Sequence, residues 1–243
     1  MGAGSRHAGT LPLRGGYLCL DFANTAGWHA SAHPEEWLTS YAALLAWSRH
    51  AGALSAVEGQ HLARVAAERP AEARAALARA VALREALYQL FAALAAERAP
   101  APAAVAALNA ELVPALAHAR VVPTADGFAW GWDDALALER PLWVVARSAA
   151  DLLTSQDVSR VRECAGYPCG WLFVDRTKNR SRHWCATQGC GNRVRVHRHH
   201  RTASERAGRY RITNRAPRAV TVGAEALSSP SHLAALFLHQ ERR

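Results

Sequence analysis

Four cysteines, Cys164, Cys169, Cys185 and Cys190, stand at C-x4-C-x15-C-x4-C spacing inside the segment RECAGYPCGWLFVDRTKNRSRHWCATQGCGNRVRVHRHHR. Two short loops, each carrying two thiols and separated by a hairpin-sized stretch, suit one tetrahedral zinc ion. Zinc takes four soft ligands, and its binding energy can fold a module with too little core to stand alone. Four protein ligands leave no open coordination position, so the expected role is structural and not catalytic. His183, His197, His199 and His200 are ligand types close by, but four thiolates already complete the tetrahedron. Two disulfides are the alternative use of the same cysteines. A reducing compartment disfavours them, and neither pair has the C-x-x-C spacing that tunes a redox thiol.

The second chemical signal is charge. Residues 160–211 hold thirteen Arg or Lys against three acids, and the rest of the 243 residues hold sixteen against seventeen. The whole excess of positive charge therefore lies on the cysteine segment, which reads as a footprint for a polyanion. Arg176, Lys178, Arg180 and Arg182 fall in a turn between the cysteine pairs. Arg193, Arg195, Arg198 and Arg201 fall on a following stretch that looks helical. These eight are the expected contacts to phosphates or base edges, with Arg193 first because it opens the helix beside the metal. DNA is the expected partner and RNA the alternative. In the RNA case Trp171, Phe173 or Trp184 would stack on bases; otherwise they form the small core beside the metal.

The elements that must position these residues are mostly helical. His33-Pro34-Glu35-Glu36 reads as a helix start, with Pro and acids in the first turn. A helix over 41–50 follows. Ser55-x-x-Glu58 is a capping box opening a helix to about Arg69. Leucines and aromatics keep helical spacing from Ala71 to Arg98. Another helix runs from Ala103 until Pro114 ends it, and a last one runs from Pro141 to Leu153. Asp126-Gly127, between apolar runs, is a hairpin turn signal. Tyr17–Phe22 is a strand or the lead into a helix, and Cys19 within it reads as a small buried hydrophobe. Asp21 and Asn24 either cap a helix or, with Trp28, line a ligand pocket. The fold class is mainly α. A helical N-terminal domain with a small β-hairpin precedes a small α+β, treble-clef-like zinc finger, in the order knuckle, hairpin, helix.

Cys190-Gly191-Asn192-Arg193, preceded by CGWLFVDRTKNRSRHWC, resembles the CGNR zinc finger. YLCLDFANT at 17–25 and DLLTS before the finger resemble the ABATE domain that accompanies it. The resemblance implies a transcriptional regulator with a C-terminal DNA-binding finger and an N-terminal domain that senses an unidentified small-molecule or protein effector. The expected organisation is a flexible N-terminus (1–16), an ABATE-like helical domain (17–155), the finger (160–205) and a C-terminal extension (206–243). Two other classes stay open. One is an RNA-binding finger; the other is a ligand-binding or enzymatic helical domain with a finger serving assembly. Residues 1–155 show no Gly-rich phosphate loop, His-Glu-x-x-His or nucleophile elbow, so no enzyme is expected. The lack of a long apolar run predicts a chain that neither enters the secretory route nor spans a membrane, and hence a cytoplasmic one.

Overall fold

Six helices carry the N-terminal part: α1 (Leu18–Ala23), α2 (Tyr41–His50), α3 (Ala56–Glu68), α4 (Pro70–Ala95), α5 (Pro102–His118) and α6 (Arg140–Leu153). The computed structural model describes residues 7–29, 31–133 and 137–196. Arg198 and Arg201, the histidines at 197, 199 and 200, and the extension at 206–243 lie outside the described residues. The helix starts follow local chemistry. Ser40 caps α2 by accepting from Ala43 N–H at 3.1 Å. Ser55 and Glu58 form the reciprocal capping box of α3. Proline occupies the first turn of α4, α5 and α6, where its missing N–H costs nothing.

The long helix α4 is the spine, touching α1, α2, α3, α5 and α6. Its Leu83, Leu87, Leu90 and Phe91 join Phe22, Trp47, Leu142 and Val145 in one buried core. That core does not stop at α6. It continues into Val161, Trp171, Leu172, Phe173 and Val174 of the cysteine segment, and all the described residues belong to one compact unit. Ala8 to Gly16, within the glycine-rich stretch read as loose, is packed as well. Leu11 is buried, its carbonyl lies 2.7 Å from His50 Nε2, and Gly15 O accepts from Val174 N–H at 2.9 Å.

Three sequence expectations are corrected. Glu35–Glu36 start no helix; they form a short strand, β2, antiparallel to β1 (Ala26–Gly27). Glu36 Oε1 accepts instead from Leu38 N–H at 2.7 Å and from the buried Arg84 guanidinium at 2.6 Å. Pro114 lies inside α5 and does not end it. An interior proline costs about 3 kcal/mol, but α5 is packed against both α4 and α6 and buries Leu108 and Ala115 there. The Arg79 guanidinium also ties Glu111 of α5 to Glu139 at the start of α6, at 2.8 and 2.7 Å. The hairpin is present, as β3 (Ala119–Thr124) against β4 (Gly127–Trp132), but Thr124 faces Gly127. The turn is therefore Ala125-Asp126, one residue earlier than read, and Gly127 opens β4 with φ 131°, a conformation that suits glycine.

The cysteine segment also departs from the simple order. Strand β6 (Leu172–Val174) pairs backwards with β5 (Val161–Glu163), which precedes the first cysteine. The first cysteine pair thus sits in the connection of that hairpin, and residues 176–184 form a turn. One wide helical turn, Thr187–Gly191, then runs into a short helix, α7 (192–196).

Candidate metal centre and nucleic-acid interface

The two loops bring all four cysteine sulfurs within 4.8 Å of one another, each cysteine buried. Cys185 Sγ lies 3.7 Å from both Cys169 Sγ and Cys190 Sγ. Four sulfurs at about 2.3 Å from a tetrahedral zinc stand about 3.8 Å apart, so the donor set and its spacing fit that ion. Cys185 N–H donates to Cys164 Sγ at 3.3 Å, a contact that favours thiolate over thiol. Crowding sets the charge state of the bare thiols. Hydrogen bonds from Cys169 and Cys185 pull the Cys164 thiol well down, and Cys164 in turn pushes Cys169 and Cys185 up. The four cysteines can bind one zinc, which when bound cross-links the two loops and requires the thiols to lose their protons.

Gly166 makes the first loop possible. A Cβ there would lie 2.7 Å from Cys190 Cβ and 3.5 Å from Cys164 Sγ. Gly166→Ala is expected to weaken zinc affinity about 10–100-fold, the range typical of displaced groups that support metal ligands. Competition with a chromophoric chelator measures it, and an unchanged affinity would show that the loop has slack. Gly191, at the second loop, has no positive φ but lies close to Trp184, 3.3 Å from the place a Cβ would take.

Asp175 organises the basic turn. It is fully buried and accepts from Thr177 N–H at 2.9 Å, Thr177 Oγ1 at 2.6 Å and Arg182 N–H at 2.9 Å. Burial alone would raise its pKa, but these hydrogen bonds, led by Thr177, hold the carboxyl below the ordinary range. The cations of the turn then divide by what they face. Arg182 lies over the Phe173 ring at 4.2 Å and donates to the carbonyls of Trp184 and Cys185 at 3.1 and 2.7 Å. It braces the second loop. Arg176 reaches Gly16 O at 3.4 Å and Asp157 at 3.6 Å but stays mostly exposed. Lys178 and Arg180 are exposed. Arg193 turns towards the helical part, its guanidinium 4.7 Å from the centre of the Trp28 ring. Arg195 is exposed, with one long contact of 3.5 Å to Asn192 Oδ1. Asn192 has helical backbone angles and closes the Thr187–Gly191 turn, its N–H directed to the carbonyls of Gly189 and Thr187.

The three residues read as a ligand pocket separate. Asp21 Oδ1 accepts from the N–H groups of Arg14 and Gly15 at 2.6 and 2.7 Å, fixing the loop before α1. Asn24 is buried and clamps Leu172 of β6 at both its backbone groups. Trp28 alone lines a cavity, of about 320 Å³, beside the second cysteine loop. Trp171 and Phe173 are buried, and Trp171 Nε1 donates to Ala26 O at 3.2 Å. Composition did not reveal Asp175, the Asn24 clamp or the Trp28–Arg193 contact. The only sequence hint was the presence of buried-type polar residues within apolar runs. Cys19 is fully buried, and desolvation pushes its thiol up to about 12, as suits an inert core position.

Residues 16–156 match the sequence profile of the ABATE family, described as "Putative stress-induced transcription regulator", and residues 160–203 match that of the CGNR zinc finger. Among curated proteins, none matches the chain. No helix among the described residues is long and apolar enough to cross a membrane.

Proposed function

The chain belongs to the ABATE family, and from that premise we propose that it is a zinc-dependent DNA-binding transcriptional regulator acting in the cytoplasm. The observation that carries this reading is the segregation of positive charge onto a metal-braced module. Lys178 and Arg180, in the turn between the cysteine pairs, and Arg195, on the helix after the second pair, stand exposed on that module. A phosphate backbone is the partner such a surface suits. Of the eight cations first considered, Arg182 is assigned to bracing and Arg193 to the junction with the helical part. Arg176, Lys178, Arg180 and Arg195 remain as proposed phosphate contacts, continued by Arg198 and Arg201. The helical part serves as the sensor. The RNA alternative loses support because two of its three candidate stacking rings, Trp171 and Phe173, are buried. Both family descriptions are of regulator and zinc-finger types, not of enzymes.

The test uses the full zinc-loaded chain with duplex DNA and, in parallel, single-stranded RNA, titrated at several salt concentrations by fluorescence anisotropy. Each neutralised phosphate contributes a slope of about −0.9 in log K against log salt for duplex DNA. Changing Lys178, Arg180 and Arg195 together to Ala is expected to flatten that slope by about 2–3 units and to weaken all sequences alike, with zinc content unchanged. Binding that is absent, or indifferent to salt, would overturn the reading. Tighter binding of RNA than of duplex DNA would move it to the RNA class.

A further inference from the structure

We propose that the cavity beside the second cysteine loop is a binding site for a small aromatic carboxylate. It measures about 320 Å³, and its walls include Trp28, Trp37, Trp171, Gln188, Arg14 and Arg193. That volume matches a one-ring acid at the lower end of small-molecule sites. Two features set the ligand chemistry. Three tryptophans converge on one space, which favours a flat ring in stacked or edge-on contact. Two guanidiniums reach the same space, and a guanidinium pairs bidentately with a carboxylate.

Several observations mark the site as built for an occupant. Among the described residues, neither guanidinium meets a carboxylate or donates a hydrogen bond. Arg14 donates its backbone N–H to Asp21, and the Arg193 guanidinium lies against the Trp28 ring. Cys169, Cys185 and Cys190 also border the cavity, and among the described residues none accepts a hydrogen bond from either guanidinium. Five N–H donors per guanidinium are thus left for a ligand or for water. Trp28 has φ 55°, an uncommon and costly conformation for a bulky side chain that is not glycine. Trp37 is buried, and its Nε1 has no hydrogen-bond partner. Its ring reaches the cavity only because residue 27 is glycine: a Cβ there would stand 2.7 Å from Trp37 Cη2.

The position gives the site a consequence that rests on the DNA-binding reading. Arg193 is the second residue of α7, which carries the exposed Arg195. A carboxylate that draws Arg193 from Trp28 repositions the start of that helix, so occupancy of the cavity and DNA affinity are coupled.

Benzoate is the probe, titrated calorimetrically into the full zinc-loaded chain, with benzyl alcohol and inorganic phosphate as single-feature controls. Expected is saturable one-to-one binding of benzoate, with both controls at least about ten-fold weaker, and a loss of about ten-fold or more in Arg14→Gln. Zinc content and DNA affinity of Arg14→Gln should stay at the wild-type level, since Arg14 is outside the metal centre and the proposed DNA contacts. Benzoate should shift the DNA affinity of the wild type, and Arg14→Gln should need at least about ten-fold more benzoate for the same shift. Absent benzoate binding, equal binding by Arg14→Gln, or phosphate binding as tight as benzoate would overturn the site. Benzoate binding without a shift in DNA affinity would overturn the coupling alone. Failure of DNA binding itself leaves the calorimetric result standing, so the two proposals fail separately.

Discussion

Zinc removal from the intact chain is expected to destabilise the helical part together with the cysteine segment, in one transition. A finger joined to a domain by a linker would unfold alone. Here Leu172 and Phe173 are fully buried in the core that α1 and α4 help to form, and Trp171 meets Trp37 edge-on at 6.1 Å. The loops that zinc cross-links flank this strand on both sides. Structural zinc is worth about 10–16 kcal/mol in isolated finger peptides. If only about 5 kcal/mol of that reaches the shared core, the melting temperature falls by roughly 10–20 °C for a unit of this size. Thermal scans followed by far-ultraviolet circular dichroism, with and without a strong chelator, measure it. Cys185→Ser should reproduce the fall and make the protein insensitive to chelator. Two separated transitions, with the helical signal unmoved by chelator, would show that the shared core transmits no stability.

How far the sequence alone reaches follows from the range of each interaction. The four cysteines were legible because the metal reads spacing, and spacing is local. The Ser55–Glu58 box was legible for the same reason. Pro114 misled because its cost is local while the burial that offsets it comes from two other helices. Glu35 and Glu36 misled because an acid near a proline is a helix signal only if no buried cation claims it, and Arg84 claims Glu36 from 48 residues away. The basic residues were legible as a class and not as individuals. Charge can be counted from the sequence, but Arg182 under the second loop and Arg180 in solvent have the same letter. What separates them is the Phe173 ring, the two carbonyls that Arg182 reaches and the buried Asp175 that shapes the turn. The cavity was half legible. Trp28 lines it, whereas Asp21 and Asn24 serve the backbone of neighbouring segments.

Asn24→Leu is expected to be among the most damaging substitutions outside the cysteines. The Asn24 side chain acts as a short strand partner: its Nδ2 donates to Leu172 O at 2.9 Å, and its Oδ1 accepts from Leu172 N–H at 2.8 Å. Asn24 and Leu172 are both buried, so water cannot take over either bond. Leucine fills the space and leaves one donor and one acceptor unpaired, at about 1–3 kcal/mol each. The expected loss is about 2–6 kcal/mol, read from denaturant unfolding of the zinc-loaded chain, and zinc should leave faster because β6 begins three residues after Cys169. A loss below about 1 kcal/mol would mean that β6 is held by packing alone. Asn24→Asp separates hydrogen bonding from volume. The carboxylate can still accept from Leu172 N–H, but its second oxygen would face the Leu172 carbonyl in a dry site. Burial and that repulsion raise the folded-state pKa of the new carboxyl above its unfolded value of about 3.9, by up to about 3–5 units at a fully buried site, which brings it to neutral pH or above. Its protonated form restores the missing donor, so stability is greatest at low pH and is lost as pH rises through the raised pKa. The deficit of Asn24→Asp should therefore narrow between about pH 7.5 and 6, before acid competes for the thiolates, while that of Asn24→Leu stays constant. Parallel pH dependence in the two variants would remove the hydrogen-bonding explanation and leave only shape.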